Sequence, residues 1–360
     1  MEGIFRGEHC VEACAGALRL GKKALVVTGS RSAVVSGALD DVRGALGRLG
    51  IDFEVFDGIT ENPPVEICAE GGKAARDGGC DFVVAAGGGS VIDAGKAIAV
   101  FAAQPDLEDI YGIPADFPAL PVAAVPLTCG TGSEANRTAV LTSGGRKRSV
   151  TRACMRPTAV YLDPRYLETL NGKQLTSTAI DAFCHCLESY LSPKSTAESE
   201  NYALNGAKIL WDTMTTKPLS TGGATLDSET RSRLLDAAYC GGAAIMTTGT
   251  GFPHPLGYGL TLRFGTPHGM ACGCFTGEYI RLNLSTGTGK ERLERFSSFI
   301  GTTPEMIAAV IPALSDVSLY IDEPTADEMV SEVSGAKNHS NSPFVLDDGT
   351  AKEIYLRLFG

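Results

Sequence analysis

Apolar segments alternate with stretches of helical periodicity over the first 165 residues. Apolar runs that predict strands lie at Ala24–Thr28, Phe53–Phe56, Phe82–Ala86 and Val122–Pro126, with further strand-like runs at 138–142, 149–152 and 159–162. Stretches that predict helices lie at about 37–49, 65–77 and 91–103. Parallel strands that are buried on both faces are mostly apolar along their length, without the alternation of half-exposed strands. The pattern therefore predicts a mostly parallel sheet covered by helices.

The pattern changes after Asp163-Pro164, where strand-like runs fade and helical periodicity dominates. Predicted helices lie at about 176–191, 197–214, 228–246, 268–283, 289–300, 303–314, 324–334 and 350–358. The sequence therefore predicts an α/β domain over residues 1–165 and an all-helical domain over residues 166–360.

Composition and charge exclude several classes of protein. With 31 basic and 42 acidic side chains in 360 residues, and no dense basic run, the chain is not expected to bind nucleic acid. No apolar run approaches the length of a membrane span, and the N-terminus lacks the pattern of a secretory signal. Eleven cysteines without a CxxC pair fit a reduced protein, so we expect a cytoplasmic location with mostly buried, packing cysteines.

Two glycine-rich turns follow predicted strands. Gly87, Gly88, Gly89 and Ser90 lie between a strand and a helix, where backbone N–H groups and the helix dipole favour a phosphate. The segment 129–134 (CGTGSE) follows the next apolar run in the same way. Two such loops at one edge of a parallel sheet indicate a dinucleotide site, although an ordinary turn is the alternative for each. GxGxxG is absent, and Gly95-Lys96 misses the P-loop spacing.

Three of the five histidines and one aspartate form a candidate metal site. Asp181 and His185 are four residues apart in a predicted helix and therefore share a face. His254 and His268 follow downstream. One carboxylate and three imidazoles suit a divalent transition metal, although each histidine alone could be an ordinary core or surface residue. Cys184, Cys186, Cys272 and Cys274 are interpreted as packing residues.

Four segments together resemble the iron-containing, or group III, alcohol dehydrogenases. They are residues 87–96 (GGGSVIDAGK), 126–134 (PLTCGTGSE), 181–190 (DAFCHCLESY) and the pair His254 and Pro267-His268-Gly269. The likeness spans nearly the whole chain. It implies an N-terminal dinucleotide-binding domain and a C-terminal helical metal-binding domain, with the cofactor and metal in the cleft between them. It also implies hydride transfer between NAD(P)(H) and a small alcohol or aldehyde, and a homodimer or larger homo-oligomer without a nucleic-acid or membrane partner.

The resemblance assigns roles to individual residues. Asp181, His185, His254 and His268 match the family's ligands for Fe²⁺, with Zn²⁺ as the alternative. The cofactor-binding residues that it implies are Asn62, Gly87, Gly88, Gly89, Ser90, Asp93, Thr128, Thr131 and Lys147.

Two positions depart from the family pattern. Many members have a histidine, implicated in proton transfer, four residues after the first downstream ligand, where this chain has Tyr258. Many NAD-using members have an aspartate just after the first strand, where this chain has Gly29, Ser30, Arg31 and Ser32. Because the carboxylate is replaced by a guanidinium and hydroxyls, we expect NADP(H) rather than NAD(H).

Three alternatives remain open from the sequence. A glycerol-dehydrogenase-like or dehydroquinate-synthase-like zinc enzyme would share the fold, although the latter needs a basic cluster that is not evident around the ligand residues. The third alternative is a non-catalytic nucleotide-binding scaffold. Such a protein could lose metal ligands, whereas all four candidate ligands are present in this chain.

Overall fold

A computed structural model of the chain describes residues 3–114 and 117–360 and shows two compact units. The first unit extends to Leu170 and also contains Thr221–Tyr239, whereas the second comprises Asn171–Ser220 and Cys240–Gly360. The predicted division near residue 165 stays a prediction, and residues 1, 2, 115 and 116 of its first domain lie outside the described residues.

The first unit contains a six-stranded parallel sheet. The strands in chain order are β1 (Gly3–Arg6), β2 (Lys23–Thr28), β3 (Asp52–Phe56), β4 (Phe82–Gly87), β5 (Val122–Pro126), β6 (Thr138–Ser143), β7 (Arg146–Thr151) and β8 (Ala159–Leu162). The parallel sheet has the order β1-β8-β5-β4-β2-β3. The strand-like runs 138–142 and 149–152 do not join it, because β6 and β7 pair with each other as an antiparallel hairpin.

Helices cover both faces of this sheet. They are α1 (Cys10–Ala13), α2 (Ser32–Val35), α3 (Ala38–Leu49), α4 (Val65–Asp77) and α5 (Gly89–Ala103). Along β2, Ala24 and Val26 belong to one apolar cluster, whereas Leu25 and Val27 belong to another on the opposite face. Burial of both faces explains why this strand is apolar at successive positions.

The strand order fixes where a ligand would bind. From β2 the chain passes to β3 on one side and then to β4 on the other, so the order reverses between β2 and β4. Thr28 at the end of β2 pairs with Ala86 near the end of β4, which brings the Gly29 and Gly87–Ser90 turns to one edge. Ligands of open α/β sheets bind at such a reversal, beyond the carboxyl ends of the strands.

The second unit is helical, as predicted. Its helices are α6 (Gly172–Leu191), α7 (Ala197–Thr216), the C-terminal part of α8 (Ser228–Thr248), α9 (Pro253–Phe264), α10 (His268–Gly273), α11 (Thr276–Leu284), α12 (Gly287–Ile300), α13 (Pro304–Ser315), α14 (Glu323–Val333) and α15 (Asp348–Phe359). Within 3–114 and 117–360, no helix combines the length and apolar character needed to cross a bilayer.

Two features of the second unit differ from the sequence prediction. The helix predicted at 268–283 is two helices, α10 and α11, with Cys274 and Phe275 between them. Helix α9 was not predicted, because it combines two prolines and two glycines with buried positions on several sides. A helix that is buried around most of its circumference has no clear apolar stripe.

Candidate active site

Helix α6 places three acidic or imidazole side chains on one buried face. Its N-terminus is capped by Asn171, whose side chain accepts a hydrogen bond from the backbone N–H of Gln174. Asp181, His185 and Glu188 follow at intervals of four and three residues, which puts them on one side of the helix. All three are buried, at 3, 5 and 1% exposure.

The other two histidines lie at the starts of short helices. His254 is the second residue of α9, after Pro253 at its first position, and His268 opens α10 after Pro267. Proline at a helix start fixes φ and lacks the N–H that would have no partner there. The backbone at both helix starts is therefore restricted by a proline, which limits the positions that the His254 and His268 imidazoles can adopt.

Glycines let α6, α9 and α10 approach one another closely. A Cβ at Gly269 would lie 1.8 Å from the Ser177 carbonyl oxygen, and a Cβ at Gly257 would lie 2.8 Å from that of Ala271. Both neighbours are backbone atoms, so a side chain at either glycine would push the helices apart. Because neither glycine has a side chain, the three helices pack closely enough for His254 and His268 to lie near Asp181.

The three predicted histidine ligands converge on one carboxylate oxygen of the fourth predicted ligand, Asp181. The Nε2 atoms of His254, His185 and His268 lie 3.5, 3.8 and 3.9 Å from Oδ1 of Asp181. The rings of His185 and His254 stack with centroids 4.7 Å apart, and those of His254 and His268 meet edge to face at 5.5 Å. Two ligands bound to one ion at about 2.1 Å with a tetrahedral angle lie roughly 3.4 Å apart. The spacing thus fits a shared divalent ion.

Two atoms at the centre of the site are buried without a hydrogen bond. Oδ1 of Asp181 and Nε2 of His254 make no hydrogen bond within the described part of the chain. Leaving such atoms unpaired costs free energy, which a bound cation would recover. The donor set and these two atoms therefore fit a metal ion.

Charge interactions dominate the ionisation of the site. Burial would raise the pKa of Asp181, but the neighbouring His185, His254 and His268 lower the pKa of that carboxyl well below its usual range. Burial likewise opposes a charge on His254, yet the Glu188 and Asp181 carboxylates raise the pKa of its imidazole to about 10. The pocket thus favours positive charge beside Asp181, whether carried by protons or by a metal ion.

Glu188 contacts the predicted ligand His254, and the sequence analysis did not assign it a role. Its carboxylate lies 2.8 Å from Nδ1 of His254 and accepts a hydrogen bond of 2.6 Å from the backbone N–H of Gly251. Burial raises its pKa, and His254 opposes this shift. A proton held on Nδ1 leaves the lone pair of Nε2 directed at the site, as in many metal-binding histidines. The sequence contained one indication of this position, because a residue seven positions after Asp181 lies on the same face of a helix.

Cys272 and Tyr258 lie beside His268. Cys272 was interpreted as a packing residue, but one ligand atom each from Cys272, Asp181, His254 and His268 all lie within 4.8 Å of one another. The ring of Tyr258 stacks on His268 with centroids 6.0 Å apart, and burial raises the pKa of the Tyr258 hydroxyl. The side chains of Cys272 and Tyr258 are therefore both close enough to contact the imidazole of His268.

In the first unit, the glycine-rich turn lies against the second loop. Gly88 precedes α5 and Gly89 begins it. A Cβ at Gly89 would lie 2.4 Å from the side chain of Thr131, and one at Gly88 would lie 3.4 Å from that of Thr128. The turn therefore exposes backbone rather than side chains to a ligand at the start of α5.

Among the other predicted cofactor residues, Asn62 contacts this turn directly. Asn62 has a φ of 53°; its backbone N–H donates to Ser90 Oγ at 3.3 Å, and its carbonyl accepts from the Thr142 hydroxyl at 2.9 Å. Lys147 of β7 is the register partner of Thr142. Gly29 is buried directly after β2, whereas Arg31 and Ser32 are exposed.

Asp93 lies in a buried network below the turn. Its two oxygens accept hydrogen bonds from the Ser133 hydroxyl and, at 2.9 Å, from the backbone N–H of Val140. Lys96 donates to the Ser133 carbonyl and hydroxyl at 2.6 and 2.7 Å. Asp93 thus links Ser133 of the second loop to Val140 of β6, one through each oxygen.

Comparisons with known proteins agree with the fold. Residues 2–164 match the family described as iron-containing alcohol dehydrogenase, and residues 175–327 match the Fe-containing alcohol dehydrogenase family, C-terminal. A phosphonoacetaldehyde reductase from Streptomyces viridochromogenes is 33% identical over 286 residues, covering 73% of this chain and 71% of that protein. The lactaldehyde reductase of Escherichia coli (strain K12) is 24% identical over 270 residues, with 73% and 68% covered.

The solved structures extend the match to the whole chain. The iron-containing alcohol dehydrogenase from Thermotoga maritima superposes with a TM-score of 0.91 at 32% identity, covering 100% of this chain and 98% of that one. The predicted family and the predicted fold class are both confirmed.

Proposed function

Because this chain belongs to the iron-containing alcohol dehydrogenase family, we propose that it transfers hydride between NAD(P)(H) and a small alcohol or aldehyde at a divalent metal site. One observation carries the proposal. Three imidazole nitrogens lie within 3.9 Å of one buried, unpartnered carboxylate oxygen of Asp181. A protein that only bound a nucleotide would have no need of this arrangement.

Asp181, His185, His254 and His268 would hold the ion, with Fe²⁺ preferred and Zn²⁺ as the alternative. When bound, the ion supplies Lewis acidity that polarises a carbonyl group or stabilises an alkoxide. Three neutral imidazoles and one carboxylate would hold the ion and could leave a position for a substrate oxygen. Glu188 retains the proton on Nδ1 of His254 and so keeps Nε2 available as a ligand atom.

The cofactor site would lie at the strand-order reversal of the first unit. Backbone N–H groups of Gly87, Gly88, Gly89 and Ser90 would bind the pyrophosphate at the positive end of α5. Thr128, Thr131, Asn62 and Lys147 offer hydroxyl, amide and ammonium groups around it. Asp93 would act by positioning Ser133 of the second loop relative to Val140 of β6, since its two oxygens accept hydrogen bonds from these two residues.

We propose NADP(H) as the preferred cofactor. Beyond β2 the chain presents the exposed side chains of Arg31 and Ser32, and residues 29–32 include no acidic side chain to repel a 2′-phosphate. A guanidinium can bind a phosphate through two parallel hydrogen bonds. Gly29 at the base of this turn would admit the adenosine ribose close to the backbone.

Tyr258 is proposed to assist proton transfer at the substrate oxygen. Its ring lies against His268, and burial raises the pKa of its hydroxyl further above neutrality, so the group acts as a hydrogen-bond donor and not as a phenolate base. A protonated phenol can donate a hydrogen bond to a developing alkoxide or to a water molecule that carries the proton. Tyr258 thus takes the place of the histidine that many relatives use.

The proposed function is tested by an anaerobic assay of chelator-treated protein reloaded with Fe²⁺ or Zn²⁺. NADPH and NADH oxidation would be followed with a panel of short aliphatic, hydroxylated, phosphonate and sulfonate aldehydes. We expect metal-dependent turnover of at least one aldehyde class, with a higher kcat/KM for NADPH. Equal activity before and after metal removal would contradict the metal mechanism, and comparable kcat/KM with both nucleotides would contradict the cofactor preference.

A further inference from the structure

We propose that the thiolate of Cys272 is an additional ligand of the metal ion, so that the site has a sulfur donor beside its oxygen and nitrogen donors. The inference rests on the metal site of the proposed function, but it does not depend on hydride transfer or on the substrate. The side chains that it brings together are Cys272, Asp181, His254 and His268.

The position of Cys272 is imposed by three helices. Cys272 and His268 are four residues apart in α10 and so share a helix face, which places Sγ 3.8 Å from both ring nitrogens of His268. This contact alone would follow from helix geometry. Asp181 and His254, however, belong to α6 and α9, and their ligand atoms also lie within 4.8 Å of the same sulfur.

Close backbone contacts hold this arrangement in place. A Cβ built on Gly257 of α9 would lie 3.1 Å from the backbone nitrogen of Cys272. A Cβ on Gly269 of α10 would lie 2.9 Å from the Asp181 Cβ atom of α6. Packing with so little free space fixes the backbone of α10, which carries Cys272, relative to α6 and α9.

Unpartnered atoms mark the place that the ion would occupy. Oδ1 of Asp181 and Nε2 of His254 are buried and make no hydrogen bond to any described residue. Asp181 and His254 each contribute one ligand atom to the group that includes the Cys272 sulfur. A cation placed among them would satisfy both atoms and would have the sulfur within reach after a small side-chain adjustment.

The chemistry of a thiol suits this role. On binding, the S–H proton leaves to solvent water and the sulfur lone pair forms the bond to the ion, so the thiolate is the ligand. Thiolates bind Zn²⁺ strongly, at about 2.3 Å. A sulfur donor would therefore shift the selectivity of the site toward Zn²⁺ relative to a site of histidines and carboxylate alone.

Cys274 provides a matched control. It lies two residues away and is also buried, but its Sγ donates to the Ala271 carbonyl at 3.3 Å and it is not a member of the ligand group. Substitution of either cysteine by serine removes one buried thiol from the same short segment. Only Cys272→Ser should alter the spectrum of the bound metal.

The test is the absorption spectrum of Co²⁺-substituted full-length protein, recorded for the unaltered chain, C272S and C274S. We expect an intense near-ultraviolet sulfur-to-cobalt charge-transfer band in the unaltered chain and in C274S, and its loss in C272S. Zn²⁺ affinity of C272S should fall about tenfold or more, and X-ray absorption should show a Zn–S distance of about 2.3 Å only when Cys272 is present.

The outcomes separate this proposal from the proposed function. Bound Co²⁺ with visible d–d bands but no charge-transfer band in the unaltered chain would overturn the Cys272 assignment and leave the metal enzyme intact. A charge-transfer band that persists in C272S would show that a different sulfur atom binds the cobalt. That result would also overturn the Cys272 assignment. Failure of the unaltered chain to bind any Co²⁺ or Zn²⁺ would overturn the metal site itself and with it the proposed function.

Discussion

Nδ1 of His254 lies 2.8 Å from the carboxylate of Glu188, and both side chains are buried. This hydrogen bond orients the imidazole and keeps its other nitrogen directed at Asp181. Glu188→Gln keeps the size and a carbonyl acceptor but removes the charge. We expect metal affinity to fall about 10- to 100-fold, as for other partners of metal-binding histidines.

The measurement is a competition titration of metal binding against a chromophoric chelator. Asp212→Asn serves as the control, because this exposed carboxylate pairs with Lys208 on the surface of α7 and should leave metal affinity unchanged. Unaltered affinity in Glu188→Gln would show that the hydrogen bond does not support the ligand.

Gly269→Ala should displace α10. The new Cβ would meet the Ser177 carbonyl oxygen at 1.8 Å, and this backbone atom cannot move without shifting α6. We expect a loss of about 3 kcal/mol in the free energy of unfolding, together with weaker metal binding. Gly287→Ala, at the start of α12, meets no atom within 4 Å and should be close to neutral. Equal stability of the two variants in urea denaturation would refute the close-approach argument.

Arg31→Ala should reduce the preference for NADPH. Loss of a charged hydrogen bond to a 2′-phosphate costs about 1.5–3 kcal/mol, which corresponds to roughly a 10- to 100-fold lower kcat/KM for NADPH. The value for NADH should change little. Arg43→Ala, which removes an exposed arginine near Asp40 on α3, is the control. Steady-state kinetics with both nucleotides check the prediction, and a parallel loss with NADH would contradict it.

Glu134 should make the stability of the metal-free chain pH-dependent. Burial raises its pKa to about 7 from the usual 4.5, against opposing effects that include Lys96. The folded state therefore retains a proton between these pKa values that the unfolded state has lost, so stability falls as pH rises from about 4.5 to 7. The difference amounts to about 3 kcal/mol at pH 8 relative to pH 4.

Glu134→Gln cannot ionise and should lack this component. We expect the difference in urea midpoint between the unaltered chain and Glu134→Gln to change across this pH range and to level off above it. A difference that is constant from pH 4 to 8 would mean that Glu134 has the same pKa in both states.

The sequence predicted those parts of the molecule whose causes are local. Apolar runs located β2, β4 and β5, and a spacing of four residues put Asp181 and His185 on one helix face. The convergence of His254 and His268 on Asp181 depends on helix contacts at Gly257 and Gly269, which leave no periodic signal. Glu188 and Cys272 were missed for the same reason, since their partners lie on other helices.

The central claim is that Asp181, His185, His254 and His268 hold one catalytic divalent ion. Its most direct test is an anaerobic titration of chelator-treated protein with Fe²⁺ or Zn²⁺, following bound metal and aldehyde reduction together. Activity should rise in proportion to bound metal and level off at about one ion per chain. His268→Asn should bind little metal and remain inactive while it stays folded by circular dichroism, and His9→Asn should behave as the unaltered chain. Full activity in the metal-free protein, or in His268→Asn, would contradict the account.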